Sequence, residues 1–268
     1  AQADSSAILS IIIGGVIFNL SNICLSASTS IAGMSVAFPV GCGLALVLGV
    51  INNLRVEMSQ GALKSNLTLL AIGVALVVVA VILNGIASGK KAGNAEISKA
   101  DQRKGIILAV VAGVVMSFFS SFVMKAMDLK DFANMEPGKV GPYTAIVVFS
   151  LAVLVSHFVF GPIFMKWPFQ GAPVKMSEYF KGNSKTHLVG MLGGCIWCLG
   201  TALSYIAAGK AGASVSYALG QGAPMVAAIW GVFVWKEFKG SNKTVYNLLG
   251  MMFLFFIVGL GMIVAAGM

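Results

Sequence analysis

Apolar residues in this chain come in long unbroken blocks, and polar residues gather in the gaps between them. Eight such blocks run at about 7–27, 32–53, 67–88, 105–126, 142–165, 188–208, 212–235 and 246–267. Each is close to the ~20 residues that a helix needs to cross the hydrocarbon of a bilayer. Runs such as Leu70 to Leu83 lack the alternation of lipid-facing and lumen-facing residues that a barrel strand requires. The pattern predicts an all-α polytopic membrane protein, because isolated spans satisfy their backbone polar groups only as helices.

Composition agrees: 58% of the residues are hydrophobic, 10% are charged, and the mean hydropathy is +0.91. A soluble domain would carry about a quarter of its residues as charges. Lysine and arginine sit in the gaps, five after the third block, four after the fifth and three after the seventh. The gaps on the other side hold two, three when Lys125 at the end of the fourth block is counted with its gap, and Lys210 alone. This excess places the gaps after the third, fifth and seventh blocks in the cytoplasm. The net charge of +9 reads as orientation and contact with anionic lipid, with no nucleic-acid partner.

The opening "AQADSSAILS" has no initiator Met and no signal-peptide pattern, so the sequence is expected to start partway through a longer protein. Cys24, Cys42, Cys195 and Cys198 all fall inside predicted spans. Cys195 and Cys198 form a CxxC with no second Cys or His pair to complete a metal site, so neither metal nor cofactor is expected.

Shifting the chain against itself by 179 positions aligns residues 14–47 with 193–226 without a gap, and eleven of thirty-four positions are identical. Gly14 falls on Gly193, Gly33 on Gly212, Ser35 on Ser214, Gly41 on Gly220 and Gly43 on Gly222. Five crossings separate the copies, and an odd offset inverts the second relative to the first, the architecture of many secondary transporters. Residues 105–268 then form a five-helix second repeat, 90–104 a basic central loop, and 1–89 an incomplete first repeat equivalent to helices three to five of ten. The expected parent is a ten-helix, 5+5 inverted-repeat transporter of which the last eight helices are present.

The segment "IWGVFVWKEFKGSNKTVYNLLGMMFLFFIVGLGMIVAAG" (229–267), preceded by "SYIAAGKAGASVSYALGQGAPMVAA", resembles the closing helices of ureide permeases and of glucose/ribose porters. Both are branches of the drug/metabolite transporter superfamily, and "AGMSVAFPVGCGLALVLGVI" extends the resemblance more weakly to the first copy. The resemblance implies ten helices in two inverted halves. It also implies uptake of a small polar solute, a sugar or a ureide, driven by a proton or sodium gradient across a bacterial inner (plasma) membrane. Plant ureide permeases carry a nucleotide-loop-like motif in the central loop; no GxxxxGK[ST] occurs here, so ATP coupling finds no support.

Polar residues inside spans mark candidate sites, because hydrocarbon penalises them unless they face a partner or a cavity. Asn19, Asn22 and Ser26 form one stripe on a helix face, and their mates at +179 are Cys198, Thr201 and Tyr205. Each alone serves equally well as glue between helices, while a stripe in both copies points to the lining of a central path. "YALGQGAPM" (217–225) and its mate "VAFPVGCGL" add Gly/Pro-interrupted spans at corresponding positions, the best sequence pointer to a transporter's binding site. Pro39, Gly41, Gly43, Gly220, Gly222 and Pro224 are the predicted kinks or hinges, with packing kinks as the plain alternative. Gln221 there offers two donors and an acceptor to hydroxyls or a urea-like group. Trp197 and Tyr217 complete the candidate solute-binding set of Asn19, Asn22, Trp197, Thr201, Tyr205, Tyr217 and Gln221.

His157 is the candidate proton relay, or else a neutral hydrogen-bonding residue. Within the predicted boundaries no Asp or Glu lies inside a span, so a coupling carboxylate is expected in the preceding helices or at a helix end. That gap also disfavours an exporter of cationic drugs, although an exporter of metabolites or drugs remains the alternative transport reading. An intramembrane enzyme would need a base and an orienting group beside Ser117, Ser120 or Ser121, and none is visible. The oligomeric state is left open.

Overall fold

The computed structural model describes residues 3–92 and 98–268, so part of the predicted central loop at 90–104 lies outside the described residues. The described residues form helices with no named strand. The elements are α1 (Ser5–Ala32), α2 (Met34–Ser59), α3 (Leu67–Ala92), α4 (Lys99–Ala126), α5 (Pro142–Lys166), a short α6 (Met176–Phe180), α7 (Ser184–Ala211), α8 (Ala213–Gly220), α9 (Ala223–Ile229), a π-helical turn (Trp230–Val234) and α10 (Lys243–Ala266). Eight candidate spans are long and apolar enough to cross a membrane, with Ala213–Val234 counted as one.

The helix ends follow from local sequence. The side chains of Ser98, Asn183 and Asn242 accept backbone N–H bonds from Asp101, Lys185 and Val245 and so start α4, α7 and α10. Gly33 and Gly212 turn the chain sharply between α1 and α2 and between α7 and α8, with φ of 79° and 89° and ψ of 151° and 155°. Only glycine adopts that backbone without strain, and the two corners stand 179 residues apart.

Small residues let the helices close up. A Cβ on Gly14 would come within 2.8 Å of the Phe119 carbonyl of α4, and one on Gly15 within 2.7 Å of the Ala152 Cβ of α5. Gly73 of α3 and Gly259 of α10 press on each other's backbones in the same way, at 2.8 and 2.9 Å. One core joins α2, α3, α8 and α10 around Leu46, Leu70, Met252 and Phe256. A second joins α1, α4, α5 and the end of α7 around Ile11, Met124, Phe149 and Tyr205, and Phe119 packs against both.

Helix α7 stands apart from this closeness. From Leu188 to Gly200 every residue except Cys198 is exposed. Gly193 and Gly194, at +179 from Gly14 and Gly15, have nothing within 4 Å of an added Cβ.

Two boundaries differ from the sequence reading. The second span, expected to end at 53, continues as helix to Ser59 and carries Glu57 inside it. The inward-facing polar side chains of its last turns find partners in the bundle: Asn52 on Ser117, Asn53 on Gly49 and Ser120, and Glu57 on Ser214. An acid therefore does lie within a span. The seventh span breaks at Gln221 and Gly222, whose N–H groups turn back to the Ala218 and Leu219 carbonyls at 3.1 and 2.9 Å. Pro224 then occupies the first turn of α9, where its missing donor costs nothing. Its mate region behaves otherwise, since α2 runs through Pro39 without interruption.

Candidate solute-binding site

The two cores meet at a set of aromatic rings. Phe18 (α1), Phe119 (α4), Phe149 (α5), Trp197 and Tyr205 (α7) and Tyr217 (α8) form a continuous chain of contacts with ring centroids 4.7–6.1 Å apart. Phe18 and Trp197 stack at 4.7 Å with their planes 24° apart, and they too are separated by 179 residues. Such ring pairs contribute about 0.5–1.5 kcal/mol beyond the area they bury. Trp197 keeps 42% of its surface exposed, so one side of the stack remains open.

The predicted polar residues divide around these rings. Asn19 is buried and donates to the Ser156 hydroxyl at 2.9 Å, which ties α1 to α5. Asn22 is half-buried and makes no hydrogen bond among the described residues. Thr201 donates to the Trp197 carbonyl of its own helix at 3.0 Å, and Cys198 lies 3.8 Å from the Ser150 hydroxyl. Ser26 is exposed.

The two tyrosines differ. The Tyr217 hydroxyl donates to the Ala45 carbonyl at 2.9 Å and fills the space that the absent side chain of Gly49 leaves free. The Tyr205 hydroxyl is buried without a hydrogen-bond partner among the described residues. A buried orphan hydroxyl costs about 1–3 kcal/mol, so Tyr205 offers an unused polar contact among the rings.

Gln221 sits at the α8–α9 break, half-buried, beside an exposed Gly220. Gly41 is buried against α4, Gly43 is also buried, and Gly222 touches Leu260. His157 faces outward from α5 beside the exposed Val155, Phe158 and Val159, away from the rings.

Sequence reasoning passed over a polar junction at one end of the bundle. Glu57 of α2 is fully buried, and its Oε1 accepts the Ser214 N–H at 2.7 Å and the Ser214 hydroxyl at 3.0 Å. The Gln60 side chain donates to the Met124 and Met127 carbonyls and accepts the Leu129 N–H. Lys64 donates to the carbonyls of Leu129 and Gly209. Beside this junction Asp128 starts the α4–α5 loop. Burial pushes its carboxyl up, but the N–H groups of Glu136 and Lys130 and the Lys130 charge outweigh it and hold the group below its ordinary 3.8. One sequence signal was available for the junction: Asn53 and Glu57 stand four apart, on one helix face.

The pattern that defines the ureide permeases matches residues 90–266, about two thirds of the chain. The chain belongs to the ureide permease family. Among its relatives, Ureide permease 1 of Arabidopsis thaliana is 26% identical over 163 residues, covering 60% of this chain and 42% of that protein. Ureide permease 2 and Ureide permease 5 of the same plant are 24% and 25% identical over 163 residues, covering 60% of this chain and 41% and 39% of theirs. The match thus spans about two fifths of these relatives' length. No solved structure matches. The family match runs from the end of α3 to α10, so it includes Phe119, Phe149, Trp197, Tyr205, Tyr217 and Gln221. Phe18 and Glu57 precede it.

Proposed function

We propose that this chain is the larger part of a secondary active transporter that carries a small neutral polar solute of the ureide class by alternating access. The observation that carries the reading is the Phe18–Trp197 stack, formed by equivalent positions of the two sequence copies where five helices converge. Cyclic ureides present a near-planar ring of amide and imide groups, rich in N–H and C=O. An aromatic face with the Tyr205 hydroxyl among its rings and Asn22 one helical turn from Phe18 suits that chemistry, Gln221 at the helix break adds an amide, and the relatives are named ureide permeases. A sugar would use the same polar groups and stacks less well over its whole face.

The architecture we propose is the ten-helix, 5+5 inverted repeat, with residues 1–89 and 105–268 as partners. Its support is the paired corners at Gly33 and Gly212 and the contrast between Gly14 and Gly15, closed over by α4 and α5, and the open Gly193 and Gly194. Two further helices equivalent to α4 and α5 would close the second face as the first is closed. The drive we propose is a proton or sodium gradient, in a bacterial inner membrane, with the loops after α3, α5 and the π turn in the cytoplasm.

The test is reconstitution of the full-length protein in liposomes under an imposed ion gradient, with labelled allantoin, a labelled hexose and a cationic dye. Gradient-dependent allantoin uptake is the expected result. Hexose uptake alone would shift the substrate class, dye efflux alone would favour the exporter reading, and movement of none of the three would refute transport.

A further inference from the structure

Glu57 is a carboxylate buried between two helices and, among the described residues, without an ion pair of its own. Among the described residues its two hydrogen-bond donors both belong to Ser214, the N–H at 2.7 Å and the hydroxyl, whose oxygen lies 3.0 Å from each carboxylate oxygen. Gly212 makes the fit, since a Cβ there would lie 2.7 Å from Oε1. The bond joins the last turn of α2, in the first sequence copy, to the first turn of α8, in the second. The same α2–α3 segment grips the α4–α5 loop through Gln60 and the end of α7 through Lys64. Three inter-helix connections are thus fastened together at one membrane face by residues 57–64.

We infer that Glu57 is a proton-binding site and that its protonation releases this fastening, so that a proton arriving from that face opens the path there. The ionised carboxylate is an acceptor only, which matches the two donors of Ser214 at a helix start. Once protonated, one oxygen carries a hydrogen, cannot accept from Ser214 in the same geometry, and loses its attraction to the α8 amides. The chemistry is proton uptake by a carboxylate alone, with no other bond made or broken. Among the described residues the charge acting on Glu57 is Lys64, whose ammonium rests on the Leu129 and Gly209 carbonyls. The faces toward α8 and α7 contribute the neutral Ala213, Ser214 and Gly212, and the face toward α4 contributes carbonyls held by Gln60. The inference goes beyond the transport reading, which leaves the coupling ion between proton and sodium.

The experiment reads gate opening with no solute present. Cys24, Cys42, Cys195 and Cys198 are replaced by Ala in the full-length protein in liposomes. Ala62→Cys, buried under the junction, and Leu63→Cys, exposed beside it, are then labelled separately with a membrane-impermeant maleimide from pH 8 to pH 5. The ratio of the two rates cancels the pH dependence of thiol chemistry. With Glu57 present the ratio should rise on acidification, by up to about tenfold per pH unit, the limit for one linked proton. Glu57→Gln should abolish that dependence. Ser214→Ala, which removes the hydroxyl bonds and keeps the acid, should raise the ratio at every pH and retain the slope. A flat ratio in the parent, or an unchanged slope in Glu57→Gln, overturns the inference. If Glu57→Gln does not reach the membrane, a Ser214→Ala ratio equal to the parent's at every pH overturns it. Failure of solute uptake leaves the labelling result intact, and a flat labelling ratio leaves solute uptake intact.

Discussion

Phe18 and Trp197 face each other across the bundle in a stack 4.7 Å deep, although 179 residues separate them. Equivalent positions of a two-fold repeat touch only near the axis that relates the copies. The contact therefore marks where such an axis would pass.

Removing the ring is the direct check. Trp197→Ala in the full-length protein should lower competition by cyclic ureides roughly 2–10-fold, the range of one aromatic pair. Trp197→Phe should keep most of it. Equal competition by a flat ring and an open-chain analogue in both parent and Trp197→Ala would show that the stack only packs.

The two tyrosines should separate stability from binding. Tyr217→Phe deletes a buried bond to the Ala45 carbonyl and should cost about 0.5–1.5 kcal/mol, read as a lower melting temperature in detergent. Tyr205→Phe removes a hydroxyl with no partner, so melting should hold or rise, while the KM for the transported solute should increase. A melting loss in Tyr205→Phe as large as in Tyr217→Phe would contradict the orphan hydroxyl.

Glycine substitutions test what covers α7. Gly15→Leu must push on Ala152 and Phe149 and should cost about 1–3 kcal/mol, seen as lost folded yield. In the full-length protein Gly194→Leu should cost a similar amount if two further helices close that face. A harmless Gly194→Leu beside a damaging Gly15→Leu would count against the 5+5 arrangement.

Asp128 predicts an acid limit for the α4–α5 loop. Its folded pKa lies below the ordinary 3.8, so its contribution is fully present above that value and is lost as pH falls through the lower folded value. Proteolysis within 128–140 should accelerate below about pH 3.8 in the parent, and Asp128→Asn should show the faster cleavage already at neutral pH. No difference between the two at neutral pH would refute the role.

The spans and the glycine corners at Gly33 and Gly212 were legible because bilayer thickness and helix corners impose simple patterns: an apolar run of fixed length, and glycines where φ must be positive. The break at Gln221 was legible for the same local reason. Glu57 was not, because an apolar run ends at its first cluster of polar residues, whereas the helix ends where backbone partners run out. Nothing local in "NNLRVE" announces Ser214, which comes from 157 residues away. Trp197 stood in the candidate solute-binding set, but that its ring would lie on Phe18 needed the third dimension. Asn19 read as cavity lining from its stripe; in space Ser156 stands within reach and takes its amide.

The unequal fate of the two Gly/Pro stretches has a mechanical meaning. Helix α2 passes Pro39 as one stiff rod, while its counterpart is jointed at Gln221 and Gly222 and loosened again by a π turn at Trp230–Val234. Torque applied to both would swing the rod and fold the jointed arm. A stroke shared by equal sequence copies would then be delivered unequally, with the rod as the fixed lever and the elbow as the part that yields.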